Sequence, residues 1–328
     1  MKEARHYEKL DDGRVHCQLC PQDCRIAEGK SGFCRVRHNR GGTLVSLIYG
    51  EATSLAVDPI EKKPLYHFHP GAQILSVGTW GCNFRCPFCQ NWQISQVQAD
   101  TRSVRSEDLV ALARRESPLG IAYTYNEPFV WYEFVYDTAR AMREAGMENV
   151  LVTNGYVSEA PLRELLPLVD AMNIDLKSFN DEFYRRLCRG RLEHVLRTLE
   201  ISRKSTHVEV TFLIIPGEND KEEEFRQMAA WVADHLGSET PMHLSAYTPR
   251  YRFRAPSTPA STLEQAKAIF GEKLSYVYLG NVLARDGANT KCHKCGRVLI
   301  ERAGYSTRVV GLKGRLCAAC GADNNIIL

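Results

Sequence analysis

Between Ile74 and Asn281 strand-length apolar runs alternate with stretches of helical periodicity. The runs cover 74–79, 120–126, 149–153, 171–177, 207–215, 242–247 and 276–280. Among the intervening stretches, 128–145 sets Val130, Phe134, Ala141 and Met142 on one face at helical spacing, and 221–236 reads as a second amphipathic helix. Alternation of this kind predicts parallel β/α units. Three of the strands also carry polar residues at every second position. His207, Glu209 and Thr211 oppose Val208, Val210, Phe212 and Ile214; Asn173, Asp175 and Lys177 oppose Ile174 and Leu176; His243, Ser245 and Tyr247 repeat the pattern. Where helices cover the outer face, such residues point inward. A closed eight-stranded barrel fills its interior with branched side chains, so the pattern predicts a more open, hollow barrel holding a polar ligand. The alternative is a sheet with one face in water.

Outside this series the patterning weakens. The first 70 residues show little apolar periodicity apart from a plausible strand at 43–49, and 58–70 runs extended through Pro59, Pro64 and Pro70. His67 and His69 lie there and read as surface or packing residues rather than ligands. The chain is expected to divide into a Cys-rich extension at 1–70, a barrel at 71–286 and a small module at 287–328.

Composition narrows the class. The 328 residues are 44% hydrophobic and 25% charged, ordinary for a globular chain with a sizeable core. A net charge of +3 is too slight to call for nucleic acid or a membrane surface as partner. Met1–His6 lacks the apolar core of a signal peptide and no window matches a spanning helix, so the expectation is a cytoplasmic protein. Of 12 cysteines, all but Cys188 fall in three local clusters, which in a reducing compartment reads as metal binding. Cys188 reads as a small thiol without a catalytic part.

The clusters differ in what they can hold. Cys17, Cys20, Cys24 and Cys34 could take zinc or an iron–sulfur cluster. Cys292, Cys295, Cys317 and Cys320, with the strand-like segments 298–301 and 308–310 between the pairs, read as a zinc ribbon that caps the fold or contacts a partner. Cys82, Cys86 and Cys89 are only three, on a loop after the strand 74–79, and both a closed iron–sulfur cube and a structural zinc site need four ligands. Either a distant cysteine completes an ordinary site, or one metal corner is open to a small molecule.

The spacing C-x3-C-x2-C, with Phe88 before its last cysteine, resembles the radical S-adenosylmethionine (SAM) enzymes. The resemblance implies a [4Fe-4S] cluster on Cys82, Cys86 and Cys89, with SAM chelated at the unique iron and cleaved reductively to a 5′-deoxyadenosyl radical. Tyr125-Asn126-Glu127-Pro128, Thr153-Asn154-Gly155 and Asp175-Leu176-Lys177 resemble the glycine-radical-enzyme activases, such as the pyruvate formate-lyase activating enzyme. By that likeness Glu127 binds the methionine ammonium, Asn126 and Asn154 lie near the cofactor, and Asp175 and Lys177 face the site as catalytic residues. His207, Glu209 and Tyr247 are expected to line the cofactor cavity. Thr211 stands where activases tend to carry an arginine.

Trp80-Gly-Cys-Asn-Phe-Arg-Cys-Pro-Phe-Cys-Gln-Asn-Trp92, the N-terminal C-x2-C-P-x2-C and Gly280-Asn281 resemble one subgroup, the radical enzyme of the AmmeMemoRadiSam system. The implied fold is a partial (β/α)6-type barrel with a Cys-rich extension and a zinc ribbon. An external reductant of the flavodoxin or ferredoxin type and a protein or peptide substrate are implied as partners. The rival readings are an iron–sulfur electron carrier that does not turn over SAM and a zinc-binding adaptor.

Overall fold

The structure, a computed structural model, describes residues 1–117, 119–282 and 287–328. Its largest element is an eight-stranded sheet made of β1 (Ser54–Pro59), β2 (Gln73–Gly78), β3 (Gly120–Tyr123), β4 (Glu148–Thr153), β5 (Ala171–Asp175), β6 (His207–Ile214), β7 (Met242–Ala246) and β8 (Val277–Gly280). The strands lie in chain order from edge to edge. β2 to β8 are parallel and β1 runs antiparallel to β2. Parallel neighbours need crossovers, and among the described residues six helices of seven residues or more lie between the seven parallel strands. They are α1 (Ser106–Glu116), α2 (Tyr132–Glu144), α3 (Glu159–Leu165), α4 (Leu192–Arg203), α5 (Glu222–Leu236) and α6 (Ala260–Gly271).

All seven expected strands form, several ending earlier than the apolar runs suggest. β3 stops at Tyr123 because Tyr125 turns into the left-handed region at φ 72°, which ends a strand. β5 stops at Asp175, and the Lys177 amide bonds to the Tyr184 hydroxyl at 2.9 Å instead of to the neighbouring strand. After the cysteine loop the chain makes a single helical turn, Trp92–Ser95. β1 lies inside the stretch assigned to the extension. It escapes a pattern reading because the apolar Leu55 and Val57 are half-buried and exposed respectively, and the strand is held by its ladder to β2. The last residues assigned to the barrel, 283–286, lie outside the described residues.

The core sits between the outer face of the sheet and the helices. Phe212 on β6, Phe225 on α5 and Phe270 on α6 are fully buried, with ring centroids 6.0–6.3 Å apart. Each such side chain contributes about 1.5–3 kcal/mol by burial. Small antiparallel sheets cover the front of the molecule: Lys2–Glu3, Arg37–Arg40 and Thr43–Ser46 form one, and Tyr7–Lys9, Val15–Cys17 and Cys24–Ile26 another. Their apolar residues Val15, Leu19, Ile26, Val36 and Leu44 join the main core. That explains how a stretch with so little apolar periodicity folds.

A second device closes the amino ends of the strands. The Pro-broken stretch 60–69 enters there and its backbone is gripped by Glu209, whose carboxylate accepts from the Tyr66 and His67 amides at 2.9 and 2.7 Å. Behind this plug sits the C-terminal module, in which Thr290–Lys291, Val298–Ala303 and Ser306–Val309 form an antiparallel sheet. Its Arg302 is buried, donates to the Tyr66 carbonyl at 2.6 Å, faces Glu61 at 3.4 Å and lies 4.2 Å over the Tyr66 ring. Among the described residues no helix is long and apolar enough to cross a membrane.

Candidate active site

The loop Thr79–Cys89 leaves the carboxyl end of β2, where open α/β sheets and barrels gather their functional loops. Cys82 and Cys86 are buried and Cys89 is partly exposed. Few regular elements hold this loop, so side chains from the neighbouring strand ends do it. Asn126, three residues past β3, accepts from the Thr79 amide at 3.1 Å and donates to the Gly81 carbonyl at 3.0 Å. Asn83 donates to the Tyr156 carbonyl at 2.6 Å and accepts from Asn154 at 2.9 Å. From the far side the Arg85 amide donates to the Cys188 carbonyl at 2.9 Å, and the Arg252 amide donates to the Pro87 carbonyl at 3.0 Å.

The sulfurs have polar company. Cys82 Sγ accepts from the Phe84 amide at 3.3 Å and from Asn154 Nδ2 at 3.6 Å, and Cys89 Sγ lies 3.0 Å from Ser95 Oγ. Cys188 is fully buried at the end of the π-turn Tyr184–Cys188, near Cys86. Burial and the Glu127 charge push the Cys82 thiol well above its usual range; the Cys188 contact and burial do the same for Cys86. Neutral thiols of this kind give up their protons only when a metal takes the sulfur.

Glu127 stands beside Cys82 at the end of β3. One of its oxygens accepts from the Phe129 amide at 3.0 Å and from Thr153 Oγ1 at 2.8 Å; the other accepts from the Asn154 amide at 2.8 Å. A carboxylate has about four acceptor positions, so one is left on the second oxygen. Burial lifts the Glu127 pKa to about 7, with those hydrogen bonds opposing the rise. Across the site, Lys177 Nζ bridges to Asp175 at 2.8 Å. Burial would lower the lysine pKa, but Asp175 and the sulfurs of Cys86 and Cys188 outweigh it and hold Lys177 well above its usual value.

The triad, Asn126, Glu127, Asn154, Asp175 and Lys177 therefore meet at the carboxyl ends of β2 to β5. Asn126 is spent on positioning the triad loop through its bonds to Thr79 and Gly81, and its amide also donates to the Glu127 carbonyl at 3.3 Å. Three other expected cavity residues do not join this group. His207 and Glu209 stand at the amino end of β6, where Glu209 also takes His207 at 3.0 Å and His243 at 2.6 Å, so its acceptors are filled from within the chain. Burial would raise the Glu209 pKa, yet the two histidines hold it well below the usual carboxylate range. Tyr247, fully buried beyond β7, donates to the Phe253 carbonyl at 3.1 Å under the loop 248–258. His67 is a packing residue, as expected: it is buried, its ring contacts Tyr278 at 2.6 Å, and burial lowers its pKa to about 3. Asn219, just before α5, ties Lys177 to β6 by donating to the carbonyls of Lys177 and Leu213.

Sequence reasoning missed Asn83, Ser95 and the approach of Cys188 to Cys86. It also missed Thr79, whose buried hydroxyl has no hydrogen-bond partner among the described residues. The orphaned hydroxyl, the spare acceptor on Glu127 and three cysteines turned into one loop suit a bound metal group carrying a polar ligand. At the opposite end of the molecule the sulfurs of Cys292, Cys295, Cys317 and Cys320 all lie within 4.8 Å of one another, with Cys292–Cys320 at 3.6 Å and Cys295–Cys317 at 3.7 Å. Four thiolates around one tetrahedral ion at ~2.3 Å stand about 3.8 Å apart, so this group is compatible with a zinc-ribbon-like module.

Comparison with known proteins agrees with this geometry. Residues 77–229 match the model of the radical SAM superfamily. The uncharacterized protein MJ0808 of Methanocaldococcus jannaschii is 47% identical over the whole of both chains. The pyruvate formate-lyase 1-activating enzyme of Escherichia coli K12 is 28% identical over 179 residues, covering 51% of this chain and 71% of its own. Among solved structures, a radical SAM methyltransferase from Sphaerobacter thermophilus superposes with a TM-score of 0.51 at 19% identity, over 70% of this chain and 71% of its own, which is a likeness of fold. A loop that presents three cysteines at the carboxyl end of a parallel sheet, together with these matches, establishes that the chain belongs to the radical SAM superfamily and is an enzyme of that type.

Proposed function

We propose that the enzyme binds SAM over the triad and uses it for activase-like hydrogen abstraction from a protein or peptide, as a member of the AmmeMemoRadiSam system. Cys82, Cys86 and Cys89 would hold a [4Fe-4S] cluster. Such a cluster supplies one electron, taken from an external donor of the flavodoxin or ferredoxin type, to cleave SAM into methionine and a 5′-deoxyadenosyl radical. The chain's own residues bind and orient. The free acceptor of Glu127 takes the methionine ammonium, a charge-assisted bond that fixes its direction. Asn154 reaches the cofactor beside Cys82, Lys177 meets a carboxylate, and Asp175 holds Lys177 in place while facing the substrate. Asn126 positions the loop, and the sheet, curved as a partial (β/α)6 barrel, keeps water from the radical.

The observation that carries this reading is convergence: residues from four separate strand ends surround three sulfurs. The likeness to activating enzymes supports a protein substrate, and the tail ribbon would hold zinc as a structural cap. A cytoplasmic setting suits the reduced thiols.

The test is anaerobic reconstitution with iron and sulfide, addition of SAM and dithionite, and chromatographic assay of 5′-deoxyadenosine. Wild-type protein should form it, and the Cys82→Ala/Cys86→Ala/Cys89→Ala variant should not. Cluster-loaded wild type that leaves SAM intact under these conditions would sink the proposal.

A further inference from the structure

We propose that Cys17, Cys20, Cys24 and Cys34 hold a second iron–sulfur cluster of the four-thiolate cube type, set directly against the triad loop. The four cysteines line one enclosed cavity, which Arg37 and Asn83 also face. Their spacing decides what fits. Among the described residues the C-terminal four are the only group of three or more ligand atoms lying within 4.8 Å of one another. All four N-terminal cysteines are described, so no three of their sulfurs are that close. One zinc ion would draw four sulfurs to edges of about 3.8 Å. A cube binds each thiolate through a different iron and so holds the sulfurs wider apart than a single ion does. The two four-cysteine sets of this one chain thus differ: the C-terminal sulfurs are drawn together as around one ion, and the N-terminal ones are not.

A second observation concerns a residue in the wall of the same cavity. Arg37 is only 1% exposed; its Nη1 donates to Glu133 at 2.9 Å and its Nη2 to the Arg5 carbonyl, but its Nε has no partner among the described residues. A buried donor left unpaired is destabilising, and cluster sulfide or thiolate would satisfy it while its charge offsets theirs. The Phe33 amide already donates to Cys24 Sγ at 3.3 Å, a bond of the type that surrounds cluster sulfurs. The site adjoins the triad through the backbone. Asn83, the residue after Cys82, lines the cavity, and Gln22 donates to its carbonyl at 2.9 Å. At Gly81, φ 97°, a Cβ would fall 2.7 Å from Val36 and 3.1 Å from the Cys34 carbonyl.

The experiment counts metals in the full-length chain, purified anaerobically and reconstituted with iron and sulfide. Wild type should hold about eight irons, about eight acid-labile sulfides and about one zinc; the Cys82→Ala/Cys86→Ala/Cys89→Ala variant should keep about four irons and a reducible cluster signal in electron paramagnetic resonance. About four irons with two zincs in wild type, or about four irons with an empty N-terminal site, would overturn the inference. These outcomes leave SAM cleavage at the triad untouched, so the two readings fail separately. If the triad variant is insoluble, the wild-type counts alone decide.

Discussion

At the amino ends of β6 to β8, Glu209, His207, His243 and Tyr278 meet partners that the chain itself supplies: each other, His67 and the amides of the plug, and Thr290 of the C-terminal module. At the carboxyl ends of β2 to β5, three sulfurs share one loop, and among the described residues Glu127 keeps a free acceptor position and Thr79 an unpaired hydroxyl. Both ends carry inward polar residues in the same alternation. The difference is whether covalently attached groups fill the hydrogen-bonding positions, because a buried polar group is paired by something. Where the chain fills them the polar residues are structure. Where it does not, they wait for a ligand.

The strongest way to break this comparison is to exchange its outcomes. Cys82→Ala should abolish 5′-deoxyadenosine formation, a loss of more than about 10³-fold, since a cluster short of a ligand gives no turnover. Its thermal midpoint, read calorimetrically on cluster-free protein, should stay close to wild type. Glu209→Ala should do the reverse. It strands two backbone amides and two histidines in the interior, for a stability loss of about 3–5 kcal/mol in urea titration. SAM cleavage per folded molecule should be preserved. Because the Glu209 pKa is depressed, wild-type stability from this site is present above about pH 4.5, the usual value, and lost as pH falls below it; Glu209→Ala should blunt that loss. Equal activity losses in the two variants would erase the distinction between the ends.

A smaller effect sharpens it. Glu127→Gln keeps the shape and removes the charge that the methionine ammonium would meet, so SAM affinity should weaken about 10- to 100-fold by equilibrium dialysis. The acid's pKa of about 7 lies above its usual 4.5, so the carboxylate gains its proton as pH drops through 7 and wild-type SAM affinity should fall between pH 8 and 6. In the unliganded chain the folded state holds that proton more tightly than the unfolded one. Stability should therefore decline as pH rises from about 4.5 to about 7, and Glu127→Gln should flatten both trends. A wild-type affinity independent of pH would remove Glu127 from the ligand's contacts.

The same contrast explains how much of the molecule was legible in the sequence. Apolar periodicity located every parallel strand, because a strand covered by helices must present Val, Ile and Leu at each outward position. Local spacing located the triad and the tail cysteines, because their ligands lie within one loop or one hairpin. Period-two alternation gave the inward face of β6 correctly but carries no information about which end of a strand meets solvent or ligand. His207 and Glu209 were thus placed with the cofactor, while the plug that claims them comes from 60–69, a Pro-broken stretch without periodicity and 142 residues from Glu209 at the His67 contact. Asn83 and Asn219 act through bonds to distant backbone, which no local motif encodes.

Cys188 is the sharpest remaining probe, because it is the one cysteine outside the three clusters and the structure sets it against Cys86. If it were a fourth ligand, the metal site would be closed and SAM would have no iron to bind. The π-turn delivers its carbonyl to the Arg85 amide, so the segment already has a structural task in holding the triad loop. That task belongs to the backbone and survives truncation of the side chain. Cys188→Ala should therefore retain the wild-type iron content, change 5′-deoxyadenosine formation less than about threefold, and cost about 1 kcal/mol in stability for the lost thiol packing. Loss of about four irons with unchanged secondary structure would mean that four protein sulfurs close the cage, and the open corner on which SAM binding depends would not exist.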